Sequence, residues 1–313
     1  MKIEFTKGHG THNDFVLVAD PKDELELDAA TVRRLTDRRG GIGADGVIRL
    51  TSTASVAAAG ETIGDEILAE EPSAIWFMDY RNADGSVAEM CGNGVRVFAA
   101  FAEKLGLVSF GTGGRAATSS SNGVLALGTR GGVKRVRKEP NGWYAVDMGP
   151  WTLPGGDAAR EAGYDAGVAV RGWDAPRPGL SVDLGNPHTV VALAGASELE
   201  GLDLTVAPEV APTPPHGTNV ELVVPLGDET APTGEPAGRI RMRVHERGVG
   251  ETQSCGTGAC AAALAVRAWQ GETAPDTWFV EIPGGEVRVR ALPNGNVELA
   301  GPAELVYTGQ LAL

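Results

Sequence analysis

Residues 91–106, CGNGVRVFAAFAEKLG, and residues 255–271, CGTGACAAALAVRAWQG, are two versions of one pattern. Each sets a cysteine and a glycine ahead of a run that is apolar nearly all round, and each closes on a glycine, Gly106 or Gly271. Such a run predicts a helix with a glycine stop. Without a polar face, that helix is buried on every side and wrapped by strands. The cysteine just ahead of it sits where backbone N–H groups and the positive end of the macrodipole bind anions and lower a thiol pKa. Used twice, the pattern predicts two similar halves and one site with two acidic thiols and two carboxylate-binding helix ends. Two thiols flanking one carbon suit inversion of its configuration.

Working outward, the halves keep step. The strand-like stretch 75–80 begins 16 residues before Cys91, and the alternation Ile240, Met242, Val244 begins 15 residues before Cys255. Asn13 precedes an apolar strand at 15–18 and Asn186 another at 189–193. The fold expected is α+β: two similar domains related by a pseudo-repeat, each a mixed, mostly antiparallel sheet around a central helix. Fresh strands near 143–150 put the boundary there, with domains at 1–147 plus 303–313 and 148–302.

A chain of 313 residues can bury two cores. Hydrophobic content is 42%, and no stretch approaches the roughly 18 apolar residues of a membrane span. The N-terminus MKIEFTKGHG mixes charges where a secretion signal is greasy, so a soluble, cytoplasmic protein is expected. A net charge of −14 opposes polyanions, so nucleic acid is not an expected partner, and without a spanning stretch neither is a membrane. Three scattered cysteines do not make a disulfide framework. Among 44 glycines, those at 111–115 and 131–132 read as turns. The alanine- and acid-rich stretch 54–71 reads as a solvated excursion, and 174–179 and 208–215 as proline-rich loops.

Plainer readings stand beside these. Cys260, on the hydrophobic part of its helix, reads as inert. His9 and His12 read as loop residues, and asparagines before strands commonly just make turns. GIGADG at 41–46 lacks the spacing and following Lys of a phosphate loop and reads as a tight turn. No CxxC exists, and the five histidines show no HExxH, so no metal is expected.

The strings KGHGTHNDFVLV, GIGADGVI, NADGSVAEMCGNGVRVFA, GNPHTVV, GTNVELV and ERGVGETQSCGTGACAAA, in this order over roughly residues 3–285, strongly resemble the diaminopimelate epimerase family. One departure is visible: HGTHNDF stands where the family has HGxGNDF, so His12 replaces a glycine. The resemblance implies conversion of LL-diaminopimelate to the meso form, in lysine and cell-wall precursor synthesis, without pyridoxal phosphate, metal or other cofactor. By the same resemblance Cys91 and Cys255 are the acid–base pair, with Cys91 taken as base for the LL form. Glu246 and His188 assist, Glu246 also accepting from the substrate ammonium. Gly92, Asn93, Gly256 and Thr257 form the carboxylate cradle. Asn13, Asn82, Asn186 and Asn219 bind the amino acid, and Arg247 forks onto its distal carboxylate. The last strand, 304–311, is expected to return to the first domain, and a homodimer is expected to close around substrate.

The chemistry fits these roles. Charge developing on an α-carbon spreads into its carboxylate, where preorganised N–H donors stabilise it, and thiols with pKa values near working pH exchange the roles of acid and base. Three rivals remain. A redox dithiol protein gives no reason for two anion cradles. A proline or hydroxyproline racemase offers no distal charge for Arg247. A pure binding module does not need both thiols.

Overall fold

The strands Trp76–Asn82 and Val124–Thr129 are parallel, so no hairpin can join them, and the crossover carries the helix Gly92–Lys104. Pro236–Glu246 and Thr277–Ile282 are joined in the same way through the helix Gly256–Gln270. These are the two runs that open on Cys91 and Cys255. The computed structural model describes residues 2–111, 120–121 and 123–312, so of the glycine-rich turn expected at 111–115 all but Gly111 lies outside the described residues.

The chain divides into two units, Met1–Asp147 with Gly301–Leu313 and Met148–Ala300. Across the first, the strands run Glu304–Ala312, Lys2–Gly10, Asn13–Ala19, Gly46–Ser52, Trp76–Asn82, Val124–Thr129, Gly132–Lys138 and Tyr144–Pro150, the last carrying the chain into the second unit. Their pairings are antiparallel, antiparallel, parallel, antiparallel, parallel, antiparallel and antiparallel. Across the second, Ala166–Ala169, Arg177–Asp183, Pro187–Ala192, Asn219–Thr230, Pro236–Glu246, Thr277–Ile282, Gly285–Ala291 and Asn296–Gly301 pair in the same sequence of senses. The pseudo-repeat expected from the cysteine motifs is therefore a repeat of topology.

Each helix is the centre of its unit. Gly92–Lys104 packs on the strands of its own sheet from Glu304–Ala312 round to Gly132–Lys138, and Gly256–Gln270 does the same from Arg177–Asp183 to Gly285–Ala291. Val95, Val97, Phe98 and Ala102 on the first, and Ala259–Ala263 with Leu264 on the second, are buried. Gly106 and Gly271, both at positive φ, end the two runs.

The stretch 54–71 is not a solvated excursion. It folds as two helices, Thr53–Ala58 and Thr62–Glu70, the first capped by the Ser52 hydroxyl, which accepts from Ser55 N–H. Val56 and Ile67 are buried against Ala74, Phe77 and Ala126, and Glu61 pairs with Arg130 at 2.9 Å. Arg130 in turn meets the buried Asp79, which also takes Arg49. Apolar residues at helical spacing thus outweighed a composition that reads as loop. The expected loops at 174–179 and 208–215 are likewise partly sheet, giving way to Arg177–Asp183 and containing the short strand Glu209–Ala211.

Candidate active site

Cys91 and Cys255 are the N-caps of the two central helices. Both have extended backbone, and each sulfur accepts from the N–H three residues on: Gly94 at 3.5 Å, Gly258 at 3.3 Å. Helical bonding begins at the N–H of Val95 and Ala259. The N–H groups of Gly92, Asn93, Gly256 and Thr257 thus fall outside each helix's own bonding, as an anion cradle requires.

In the first unit, the Cys91 thiol donates to Asn13 Oδ1 at 3.5 Å, and Asn93 Nδ2 donates to the same oxygen at 3.3 Å. Asn13 Nδ2 is bound to Asp45 Oδ2 at 2.8 Å, inside the GIGADG turn. Arg96, fully buried in the helix, donates to Asn93 Oδ1 at 2.9 Å and braces the cradle from behind. Asn82 ends its strand opposite Gly46, next to Asp45, and donates to Ser86 Oγ at 3.0 Å. Thr11 and His12 form the two-residue link between Lys2–Gly10 and Asn13–Ala19, both at positive φ (51° and 65°). That is the geometry of a type I′ hairpin, which favours glycine at its second central position, and His12 occupies it with its N–H on His9 Nδ1.

The second unit gathers more. Asn186 Nδ2 donates to Thr257 Oγ1 at 3.2 Å. Asn219 accepts the Arg247 backbone N–H at 2.9 Å and donates to the Pro187 carbonyl at 3.1 Å, while Arg247's guanidinium reaches the His216 carbonyl. Thr252 donates to Glu246 Oε1 at 2.5 Å, and the Glu246 carboxyl acts electrostatically on the Cys255 thiol. His188 Nδ1 lies 2.7 Å from Glu221 Oε1, and both side chains are fully buried.

Electrostatics separates Cys255 from the expectation that a helix start lowers a thiol pKa. Burial pushes the Cys255 thiol well up, and the carboxylates of Glu246 and Glu221 push it further, against the Thr257 hydroxyl and the Gly258 N–H. A single helix N–H does not offset the loss of water. Burial likewise holds the carboxyls of Glu221 and Glu246 above their ordinary range. Asp14, beside Asn13, moves the other way: burial opposes its charge, but the bound Arg38 and Lys7 hold it well below the usual carboxylate range.

Sequence reasoning passed over Asp45, Arg96 and Glu221. For the last two a signal existed, since a lone charge inside VRVFAA or NVELVV must be buried with a partner. All three cysteines are free thiols. Among the described residues, no group of three or more His, Cys, Asp or Glu is placed to hold a metal ion, and no helix is long and apolar enough to cross a membrane.

Solved structures share this fold. A hydroxyproline epimerase from Agrobacterium vitis matches with a TM-score of 0.58 at 15% identity, covering 100% of this chain and 93% of that one. A phenazine biosynthesis protein of the PhzF family from Bacillus anthracis matches at 0.59 and 13% identity, covering 100% of both. In sequence, the diaminopimelate epimerase of Streptomyces coelicolor is 43% identical over 99% of this chain and 95% of that protein. That of Thermobifida fusca is 44% identical over 99% and 98%. The chain is accordingly an isomerase of the amino-acid racemase and epimerase class. The family pattern described as diaminopimelate epimerase matches residues 5–154 and 180–306. The chain belongs to the diaminopimelate epimerase family.

Proposed function

We propose that the enzyme converts LL-2,6-diaminopimelate to meso-diaminopimelate with two thiols and no cofactor, in lysine and cell-wall precursor synthesis in the cytoplasm. The observation that carries this reading is the repeated cap: in two units of one topology, a cysteine sulfur takes the third N–H of a buried helix, and the first two N–H groups, ahead of it, fall outside the helix's own bonding and point the way a carboxylate would be held. Cys91 acts as base on the LL form and Cys255 as acid on the opposite face. The N–H groups of Gly92, Asn93, Gly256 and Thr257 hold the carboxylate as carbanion charge spreads into it. Asn13, Asn82, Asn186 and Asn219 bind the zwitterion, their amides offering donor and acceptor alike. Arg247 takes the distal carboxylate as a bidentate fork. Glu246 accepts from the ammonium, and His188 assists near the Cys255 thiol.

A homodimer is the expected assembly. The outer strand Glu304–Ala312 pairs on one side with Lys2–Gly10 and leaves Val306 and Tyr307 exposed, a surface that a second copy would cover. Light scattering at micromolar concentration tests it, and a monomeric mass contradicts it.

The reaction is tested by running LL-diaminopimelate in deuterium oxide under reducing conditions. Early label should appear mainly in the inverted product, and Cys91→Ala and Cys255→Ala should each lose turnover. Equal label in recovered substrate, or turnover with proline in its place, would contradict the reading.

A further inference from the structure

Phe15 and His188 hold the same place in the two sheets. Across the corresponding parallel pairs, Phe15 faces Gly46 and His188 faces Asn219, and two residues further along those partner strands stand Ile48 and Glu221. In the first unit, Ile48 Cδ1 and Phe15 Cζ lie 3.1 and 3.7 Å from where a β-carbon on Gly94 would sit, in the turn that Cys91 caps. In the second, Glu221 Oε1 lies 2.7 Å from the corresponding point on Gly258, and Cys255 Sγ lies 3.2 Å from that same point. An apolar support under one thiol is replaced by an ionisable one under the other.

The replacement is costly. Glu221 and His188 are both fully buried, and Glu221 Oε2 and His188 Nε2 find no hydrogen-bond partner among the described residues. The groups that face Cys255 are Glu246 from Pro236–Glu246, Glu221 from Asn219–Thr230, the Thr257 hydroxyl and the Gly258 N–H, with His188 from Pro187–Ala192 behind the carboxylates. Two of these are carboxylates, and no cation of Lys or Arg stands among them.

We propose that Glu221 is a positioning residue that makes the two thiols unequal. Its carboxyl, beside the helix start and bonded to His188, keeps Cys255 in the thiol form in the substrate-free enzyme, so that Cys255 enters the LL direction as proton donor and Cys91 as base. The proposal rests on the two-thiol reading above. In that turnover the Cys91 thiolate takes the α-proton and becomes a thiol. The Cys255 thiol gives its proton to the opposite face, where the carbanion's electron pair forms the new C–H bond, and becomes a thiolate. Exchange of protons between the two sulfurs through solvent restores the starting pair.

Alkylation by iodoacetamide across a pH series tests this directly, because the thiolate is the reacting form. Modification is read residue by residue by mass spectrometry, with Cys255 and Cys260, which share the tryptic peptide 248–267, separated by fragmentation. In the wild-type enzyme Cys91 should react with a lower midpoint pH than Cys255. In Glu221→Gln the Cys255 midpoint should fall by about one pH unit or more, roughly tenfold in rate at fixed pH, with that of Cys91 unmoved. A Cys255 midpoint at or below that of Cys91 in the wild type, or one unmoved in Glu221→Gln, overturns the proposal. The wild-type comparison stands even if the variant does not fold. Cys91→Ala and Cys255→Ala separate the two readings: retained epimerisation in either sinks the two-thiol mechanism, while loss in both with an unmoved Cys255 profile sinks only the role of Glu221.

Discussion

Asp45 fixes which way Asn13 points. Its Oδ2 holds Asn13 Nδ2 at 2.8 Å, so the amide oxygen is turned to the Cys91 thiol and to Asn93 Nδ2. Replacing Asp45 by Ala frees the amide to rotate and present its NH2 to the sulfur. We expect kcat with LL-diaminopimelate to fall by about ten- to a hundredfold, since a misplacement of about 1 Å can cost roughly a hundredfold in rate. Asp45 is partly exposed, so the melting temperature should change little. A variant with unchanged kcat would show that the amide does not need this anchor.

Gly258 leaves no room for a methyl group. A β-carbon there would meet Glu221 Oε1 at 2.7 Å, and that carboxyl is buried and bonded to His188. Gly94 has more tolerance, since the nearest atom is a terminal methyl of Ile48 at 3.1 Å. Gly258→Ala should therefore destabilise the protein by about 2 kcal/mol and cut activity, while Gly94→Ala should cost clearly less. Urea unfolding of the two variants side by side checks the order, and equal losses would contradict it.

His12 carries a conformational cost that glycine would not. At φ 65° in a two-residue hairpin, its β-carbon crowds the backbone, and set against that is its contact with His9, rings 5.3 Å apart. His12→Gly should raise stability by about 0.5 to 1 kcal/mol. A lower melting temperature in this variant would mean that the His9 contact outweighs the strain.

Stability should depend on pH from both sides. Asp14 and Asp79 have depressed pKa values: burial opposes their charge, and the neighbouring Arg and Lys side chains prevail. Their contribution is present above the ordinary aspartate value of about 4 and is lost as pH falls through the folded values. Glu221 and Glu246 are raised by burial, so their contribution is complete below the ordinary glutamate value of about 4.3 and is lost as pH rises through the folded values. Chemical unfolding from pH 3 to 9 should show both limbs, with Asp14→Asn weakening the acid one and Glu221→Gln flattening the other. Unchanged limbs in the two variants would contradict these assignments.

Much of this was written in short-range pattern. The caps, the buried helices and their glycine stops follow from sixteen or so consecutive residues each, because helix propensity, apolar periodicity and termination act within a few turns. Asn13 was legible as a residue ahead of a strand, yet its wiring to Asp45 was not, since the two are 32 positions apart and meet only through the parallel pair. The helices of 53–70 were hidden by alanine and glutamate, and their burial depends on Phe77, Ala126 and Arg130 further along the chain. The elevated pKa of Cys255 was hidden for the same reason. Glu221 and Glu246 lie on different strands, and only the folded sheet brings both carboxylates to the sulfur.

The pairing of Lys2–Gly10 with Glu304–Ala312 joins the earliest of the described strands to the latest. Ile3 and the flank of the helix Gly92–Lys104 must stay uncovered while the whole second unit is synthesised, and that unit can collapse around its own helix before its predecessor is closed. Folding during translation is thus inverted: the unit begun first is finished last, and the open border of its sheet is the place a nascent chain is most exposed to wrong pairing.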